Sequence, residues 1–207
     1  RDRLKRAQMT PLYLVDDDQD VLDSLSWMLE GMGLNCKGFN AADTFLKSVD
    51  IKQPAVLLLD IKMPGMDGVA LLSHLNQVQS VISVIMLTGH GTIAMAVDCI
   101  QQGALNFLEK PVDGEKLFQL LTQAQQHTEQ KWHQQNLQSD IANRLATLSQ
   151  RETQVMEGIL AGKMNKVIAA ELDIAQRTIE LHRQKVMQKM QVSNAAELAW
   201  LLANHKF

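Results

Sequence analysis

From residue 12 onward the chain alternates two hydrophobic patterns. Short, mostly apolar runs at 12–15 (LYLV), 55–60 (AVLLLD), 81–87 (VISVIML) and 105–110 (LNFLEK) are each followed by apolar positions recurring at helical spacing, over 21–32, 68–75, 93–102 and 117–124. Runs without polar alternation read as strands buried on both faces, and such strands occur in parallel sheets covered by helices on both sides. A less obvious segment, 34–38, supplies a second strand. The pattern predicts five βα repeats: an α/β, doubly wound five-stranded parallel sheet. Residues 119–138 hold eight glutamines and little to bury. Gln, Lys and Glu favour helix, so this stretch is expected to extend the fifth helix as a solvated connector. Beyond it no strand-like run occurs. Amphipathic segments broken at Gly162, Asp173 and Ser193 predict a small all-α bundle of four helices. The expected organisation is 10–125 for the sheet domain, 126–143 for a helical linker and 144–207 for the bundle.

Composition adds limits. Hydrophobic residues make up 46% and charged residues 21%, enough to build a core. No apolar run approaches the ~20 residues that span a bilayer. The charged stretch 1–8 has no apolar centre of a secretory signal, and Met9 is a candidate native start. Two cysteines, Cys36 and Cys99, form no disulfide framework, so a reducing cytoplasm is expected. The net charge of −3 conceals a division: 12 basic against 17 acidic residues over 1–144, and 8 against 6 over 145–207. An acidic front and a mildly basic back suggest two domains with different partners.

The first candidate chemistry lies at the strand ends. Asp16, Asp17 and Asp18 follow the first run, and Asp60 ends the third. Thr88 ends the fourth, and Lys110, followed by Pro111, ends the fifth. In an open parallel sheet these ends border one crevice, so their side chains should converge. Clustered carboxylates call for neutralisation, which a hard cation such as Mg²⁺ provides together with carbonyls, water and phosphate oxygens. An Asp carboxylate can also attack phosphorus and form an acyl phosphate, with a lysine and a hydroxyl stabilising the phosphoryl oxygens. A plainer reading is that strand-end Asp residues cap the following helix, Asp18 or Asp20 in particular.

VDDD at 15–18, LDIKMPGMDG at 59–68, TGHG at 88–91 and the Lys110–Pro111 pair closely resemble the receiver domain of bacterial two-component response regulators, a flavodoxin-like fold. By that resemblance Asp60 is the phosphoacceptor. Asp17 holds Mg²⁺ directly, Asp16 does so through water, and the backbone carbonyl of Lys62 adds a ligand. Thr88 and Phe107 form a switch pair, Lys110 contacts the phosphoryl group and the Lys110–Pro111 peptide is cis. His90 reads as an exposed loop histidine. A phosphatase of the haloacid-dehalogenase type also uses a strand-end Asp with Mg²⁺, but it needs a second Asp two residues on, where this chain has Lys62.

In the helical part, Ser149 with Glu152 fits a capping box, and Asn165 is expected to cap the next helix. After a turn through 173–176, Ile179, His182, Val186 and Met190 mark the buried face of a third helix. Arg177, Glu180, Leu181, Gln184 and Gln188 mark its opposite face. Two helices joined by a short turn, the second with long polar side chains outward, fit a helix-turn-helix. Periodicity alone fits a solvated surface as well. The segments LSQRETQV, GKMNKVIAAELDI, RTIELHRQKVMQKM and NAAEL resemble the LuxR-type helix-turn-helix, and with the receiver they place the chain nearest the FixJ and NarL group. Lys166, Arg177, Thr178, Arg183, Lys185 and Lys189 are then candidates for DNA contact, mostly to phosphates. Glu180 suits cytosine N4, Gln184 suits adenine and Leu181 suits a thymine methyl. The resemblance implies a transcription regulator and not an enzyme. It would be phosphorylated by a sensor histidine kinase, dimerise through residues 92–109, and activate transcription with promoter DNA and RNA polymerase as partners.

Overall fold

Strands and helices alternate through the first part of the computed structural model, which describes residues 10–89 and 92–204. β1 (Leu12–Val15), β2 (Cys36–Phe39), β3 (Val56–Asp60), β4 (Ser83–Thr88) and β5 (Asn106–Glu109) form one parallel sheet in the order β2-β1-β3-β4-β5. Four helices connect the strands: α1 (Gln19–Gly31), α2 (Ala42–Ser48), α3 (Gly68–Gln77) and α4 (Ile93–Gln101). The period-2 geometry of strands divides the core. Leu57, Leu59, Val84 and Met86 face one helical layer, while Val56, Leu58, Ile85 and Leu87 face the other. Every residue of β3 and β4 is buried, which explains why these runs lack polar alternation.

Two details depart from the pattern reading. The second strand starts at Cys36, because Leu34 belongs to the end of α1: its N–H donates to the Leu29 carbonyl at 2.9 Å beside Gly33 at φ 76°. Helix α2 has seven residues and no side-chain cap, too short for periodicity to reveal.

Helix α5 (Gly114–Ala146) runs without a break through the glutamine-rich stretch. That stretch is less solvated than its composition suggests. Thr128 is fully buried, donating to the Val81 carbonyl (2.6 Å) and accepting from the Ala55 N–H (3.1 Å). Lys131 donates to the Ser80 carbonyl at 3.1 Å. The chain divides into two compact units between His133 and Gln134, inside α5.

In the second unit the end of α5 packs with α6 (Gln150–Leu160), α7 (Asn165–Leu172), α8 (Gln176–Met190) and α9 (Ala195–Ala203). Ile141, Val155, Ile168, Ile179, Val186, Met190 and Leu198 form its core. Gly158 lets α6 and α7 approach, since a Cβ there would lie 2.8 Å from the Ile168 side chain. The capping box forms as expected: Ser149 Oγ accepts from Glu152 N (3.1 Å) and Glu152 Oε2 accepts from Ser149 N (2.9 Å). The expected cap at Asn165 does not form. Met164 occupies the N-cap, and Asn165, one position into α7, accepts a hydrogen bond from Arg183 instead. Among the described residues no helix is long and apolar enough to cross a membrane.

Candidate functional site

Parallel pairing brings the ends of β1, β3, β4 and β5 to one edge, and four of the side chains singled out above meet there. Asp16 is fully buried, Asp60 nearly so, and Asp17 is exposed. The Lys110 ammonium lies 2.7 Å from Asp16 Oδ2 and 3.1 Å from Asp60 Oδ1, bridging the two carboxylates. Asp16 Oδ1 accepts from the Asp18 N–H at 2.9 Å, so both of its oxygens are engaged. Asp18 itself caps α1, accepting from Asp20 N. The capping reading therefore holds for Asp18, and Asp16 and Asp60 belong to the cluster.

One ammonium faces three carboxylates, and the balance of forces is visible at Asp60. Burial, followed by the Asp16 charge, pushes its carboxyl up to about 6 from the ordinary 3.8, against the hydrogen bond from Lys110. For Lys110, burial works against the charge, but hydrogen bonds to Asp16 and Asp60 outweigh it and hold the ammonium above its ordinary value. One carboxylate oxygen from each of Asp16, Asp17 and Asp60 lies within 4.8 Å of the other two. An all-oxygen donor set with excess negative charge fits a hard divalent cation such as Mg²⁺. Because hydrogen bonds engage both Asp16 oxygens, the exposed Asp17 and the buried Asp60, which Lys110 holds by Oδ1 alone, are the carboxylates better placed to ligate directly.

The backbone around Asp60 is closely fitted. Gly68 donates to the Ile61 carbonyl at 2.9 Å, and a Cβ at Gly68 would collide with the carbonyl of Asp60. Thr88 is buried; its hydroxyl donates to the Leu108 carbonyl at 3.3 Å, and its own carbonyl accepts from Lys110 N at 2.7 Å. Phe107, half-buried, precedes Leu108 on β5 and packs against the sheet core. The Lys110–Pro111 peptide is cis. Lys62 is exposed, two residues past Asp60. His90 lies outside the described residues.

In the second unit, Arg177, Glu180, Leu181, Gln184, Lys185 and Gln188 are exposed along α8, opposite the buried Ile179, Val186 and Met190. Leu181 is 54% exposed, an apolar side chain with no intramolecular cover. Thr178 and Arg183 flank this face, and Arg183 donates to Asn165 Oδ1 at 3.3 Å. Arg183 also lines an open cavity of about 540 Å³ with Lys163, Met164, Asn165, Lys166 and Gln176. Lys163 and Gln176 were not among the sequence-derived candidates; their position at the starts of α7 and α8 was the available signal. Lys163 pairs with Glu171 at 2.8 Å.

Lys189 departs from the expectation of phosphate contact. Its ammonium lies 2.7 Å from Glu152 Oε2 and 2.9 Å from the Thr147 carbonyl, where it serves the fold. The hydrogen bond from Lys189, then that from Ser149 N–H, holds the Glu152 carboxyl below its ordinary value. His182 is partly buried, and its Nδ1 has no partner among the described residues.

Comparison with known proteins matches both halves. Residues 12–122 match the response regulator receiver domain, and residues 146–202 match the luxR family of bacterial regulatory proteins. The transcriptional regulatory protein FixJ of Bradyrhizobium diazoefficiens is 40% identical over 190 residues, 92% of this chain and 93% of that protein. Among solved structures, the response regulator StyR is similar at a TM-score of 0.86 and 34% identity, covering 95% of this chain and 99% of that one. Full-length FixJ from B. japonicum is similar at 0.57 and 38% identity, covering 94% and 96%.

Proposed function

The chain belongs to the response regulators that join a receiver domain to a luxR-type DNA-binding domain and regulate transcription in two-component systems, and on that premise we propose that phosphorylation of Asp60 controls DNA binding through α8. The observation that carries the phosphoacceptor assignment is the Lys110 ammonium bridging Asp16 and Asp60 at the strand ends. A phosphohistidine of a sensor kinase brings phosphorus to the crevice. An Asp60 oxygen forms the new O–P bond, the N–P bond breaks, and the imidazole nitrogen keeps the electron pair and takes a proton. Asp17, Asp60 and the Lys62 carbonyl would hold Mg²⁺, with Asp16 acting through water; the ion supplies charge neutralisation for the phosphoryl oxygens. Lys110 moves from its bridge to the new phosphoryl oxygens, exchanging two carboxylate contacts for a more concentrated charge.

The switch follows from what Thr88 gives up. Its hydroxyl bond to Leu108 is long at 3.3 Å, so a phosphoryl oxygen competes for it. When Thr88 turns, the end of β5 loses a tie beside Phe107, and that ring moves further inward. The neighbouring helix α4 exposes Ile93, Val97 and Ile100, an i, i+4, i+7 apolar stripe suited to a second copy of the chain. A dimer sets two output domains on adjacent half-sites and doubles the phosphate contacts. Glu180, Leu181 and Gln184 then read bases while Lys166, Arg177, Thr178, Arg183 and Lys185 meet the backbone. The same reading makes the chain a cytoplasmic activator working with RNA polymerase.

The chemical half is tested by intact mass spectrometry after incubation with acetyl phosphate. The wild-type chain should gain one phosphoryl group only when Mg²⁺ is present, and Asp60→Asn should gain none. Equal labelling of Asp60→Asn would remove Asp60 from the role.

A further inference from the structure

We propose that Arg144, on the last turn of α5, is a positioning residue for α8. It holds the C-terminus of that helix at the orientation base reading requires, without contacting DNA. The inference rests on the reading of α8 as the recognition helix, and all its residues lie in the second compact unit.

The end of α8 leaves carbonyls that need partners. Gln191, at φ 56°, donates to the Gln188 carbonyl (3.2 Å) and Val192 donates to Met187 (3.0 Å), closing two of them. The Met190 carbonyl takes its hydrogen bond from Arg144 Nη1 at 3.0 Å. The other terminal nitrogen of Arg144 is held by Asp140, one turn earlier on α5, at 2.5 Å. A cation at a helix C-terminus also meets the negative end of the helix dipole. The neighbouring Lys189 is fixed by the Thr147 carbonyl and Glu152, so both anchors on the end of α8 come from residues 140–152.

These bonds do what the core cannot. Ile179, Val186 and Met190 are fully buried, but apolar burial is non-directional and tolerates a small roll of the helix about its axis. A roll of α8 displaces Glu180, Leu181 and Gln184 together, since they share its exposed face. Directional bonds at the C-terminus oppose it. An i,i+4 ion pair at a helix surface contributes little on its own, so Arg144–Asp140 pairing does not account for the arrangement. Arg144 is 19% exposed in its side chain, and its Nε is buried with no partner among the described residues. The guanidinium fork is what lets one residue engage a carboxylate and a carbonyl together.

The test uses the full-length chain phosphorylated with acetyl phosphate and Mg²⁺ and the duplex that the phosphorylated wild type selects from a random library, with a scrambled duplex as control. Affinity is measured by fluorescence anisotropy across a salt series, below the melting temperature of each variant. Arg144→Met should lose about fivefold on the selected duplex, the equivalent of one hydrogen bond, and little on the scrambled one. Its salt slope should match wild type. Arg144→Lys, which keeps the charge but not the fork, should recover only part of the loss, and Asp140→Asn, which loosens the guanidinium without removing it, should show a smaller loss on the selected duplex alone. Lys185→Ala, by contrast, should weaken both duplexes and reduce the slope by about one. An equal loss on both duplexes for Arg144→Met would mean a purely structural role, a reduced slope would mean direct phosphate contact, and no loss would mean no role; each overturns the proposal. A wild-type chain that selects no sequence overturns the reading of α8 itself, and this inference with it.

Discussion

Asp60 shows how a single side chain can be tuned by opposed forces. Burial and Asp16 raise its carboxyl to about 6 while Lys110 holds it down. A carboxyl raised in this way keeps its proton in the folded chain after the unfolded chain has lost it. Its contribution therefore favours folding below the ordinary 3.8 and is lost as pH rises through about 6. Metal-free Asp60→Asn should accordingly melt a few degrees above wild type near neutral pH, with the gap closing in acid, as followed by circular dichroism; a constant gap would contradict the assignment. Gly68→Ala drives a methyl group into the Asp60 carbonyl, so it should slow phosphorylation by acetyl phosphate by about tenfold or more, a loss of at least ~1.4 kcal/mol. The pocket was legible in the sequence because unbroken apolar runs fix which end of each strand its Asp or Lys occupies. Lys189 was not, since periodicity places it near the polar face while the buried Glu152 draws its ammonium to the fold.

Among the elements, α5 was legible as a helix but not in what it touches. Glutamines indicated a solvated connector, and no pattern marked Thr128 as the partner of two buried backbone groups, because a single buried polar residue on a polar helix leaves no period. Thr128→Val leaves the Val81 carbonyl and Ala55 N–H unpaired and should destabilise the receiver by about 2 kcal/mol or more in denaturant unfolding. α8 was legible on both faces, since Ile179, Val186 and Met190 recur at the helical period. The caps divided: Ser149–Glu152 formed as its motif implies, while Asn165 was drawn to Arg183 by an acceptor need that its local sequence does not show. The faint signal of α2 and the late start of β2 have a shared origin in short local structure: seven residues leave almost no period, and the turn that ends α1 at Gly33 and Leu34 is closed by backbone hydrogen bonds to Glu30 and Leu29 that hydrophobicity does not record.

Over the whole molecule, the uneven charge acquires a cause. Asp16, Asp17 and Asp60 concentrate negative charge in the first unit, which the proposed function uses for phosphoryl chemistry, and the exposed face of α8 with Lys166 and Arg183 carries the basic side of the second. Family membership joins the two as input and output of one regulator. The coupling between them is the central claim, and one measurement reaches it: DNA affinity and sedimentation of the same sample before and after acetyl phosphate with Mg²⁺, for wild type and Asp60→Asn. Phosphorylation should convert wild-type monomers to dimers and tighten binding to the selected duplex by at least tenfold, about 1.4 kcal/mol, leaving Asp60→Asn unchanged in both. Unaltered mass and affinity in the phosphorylated wild-type chain would contradict the account.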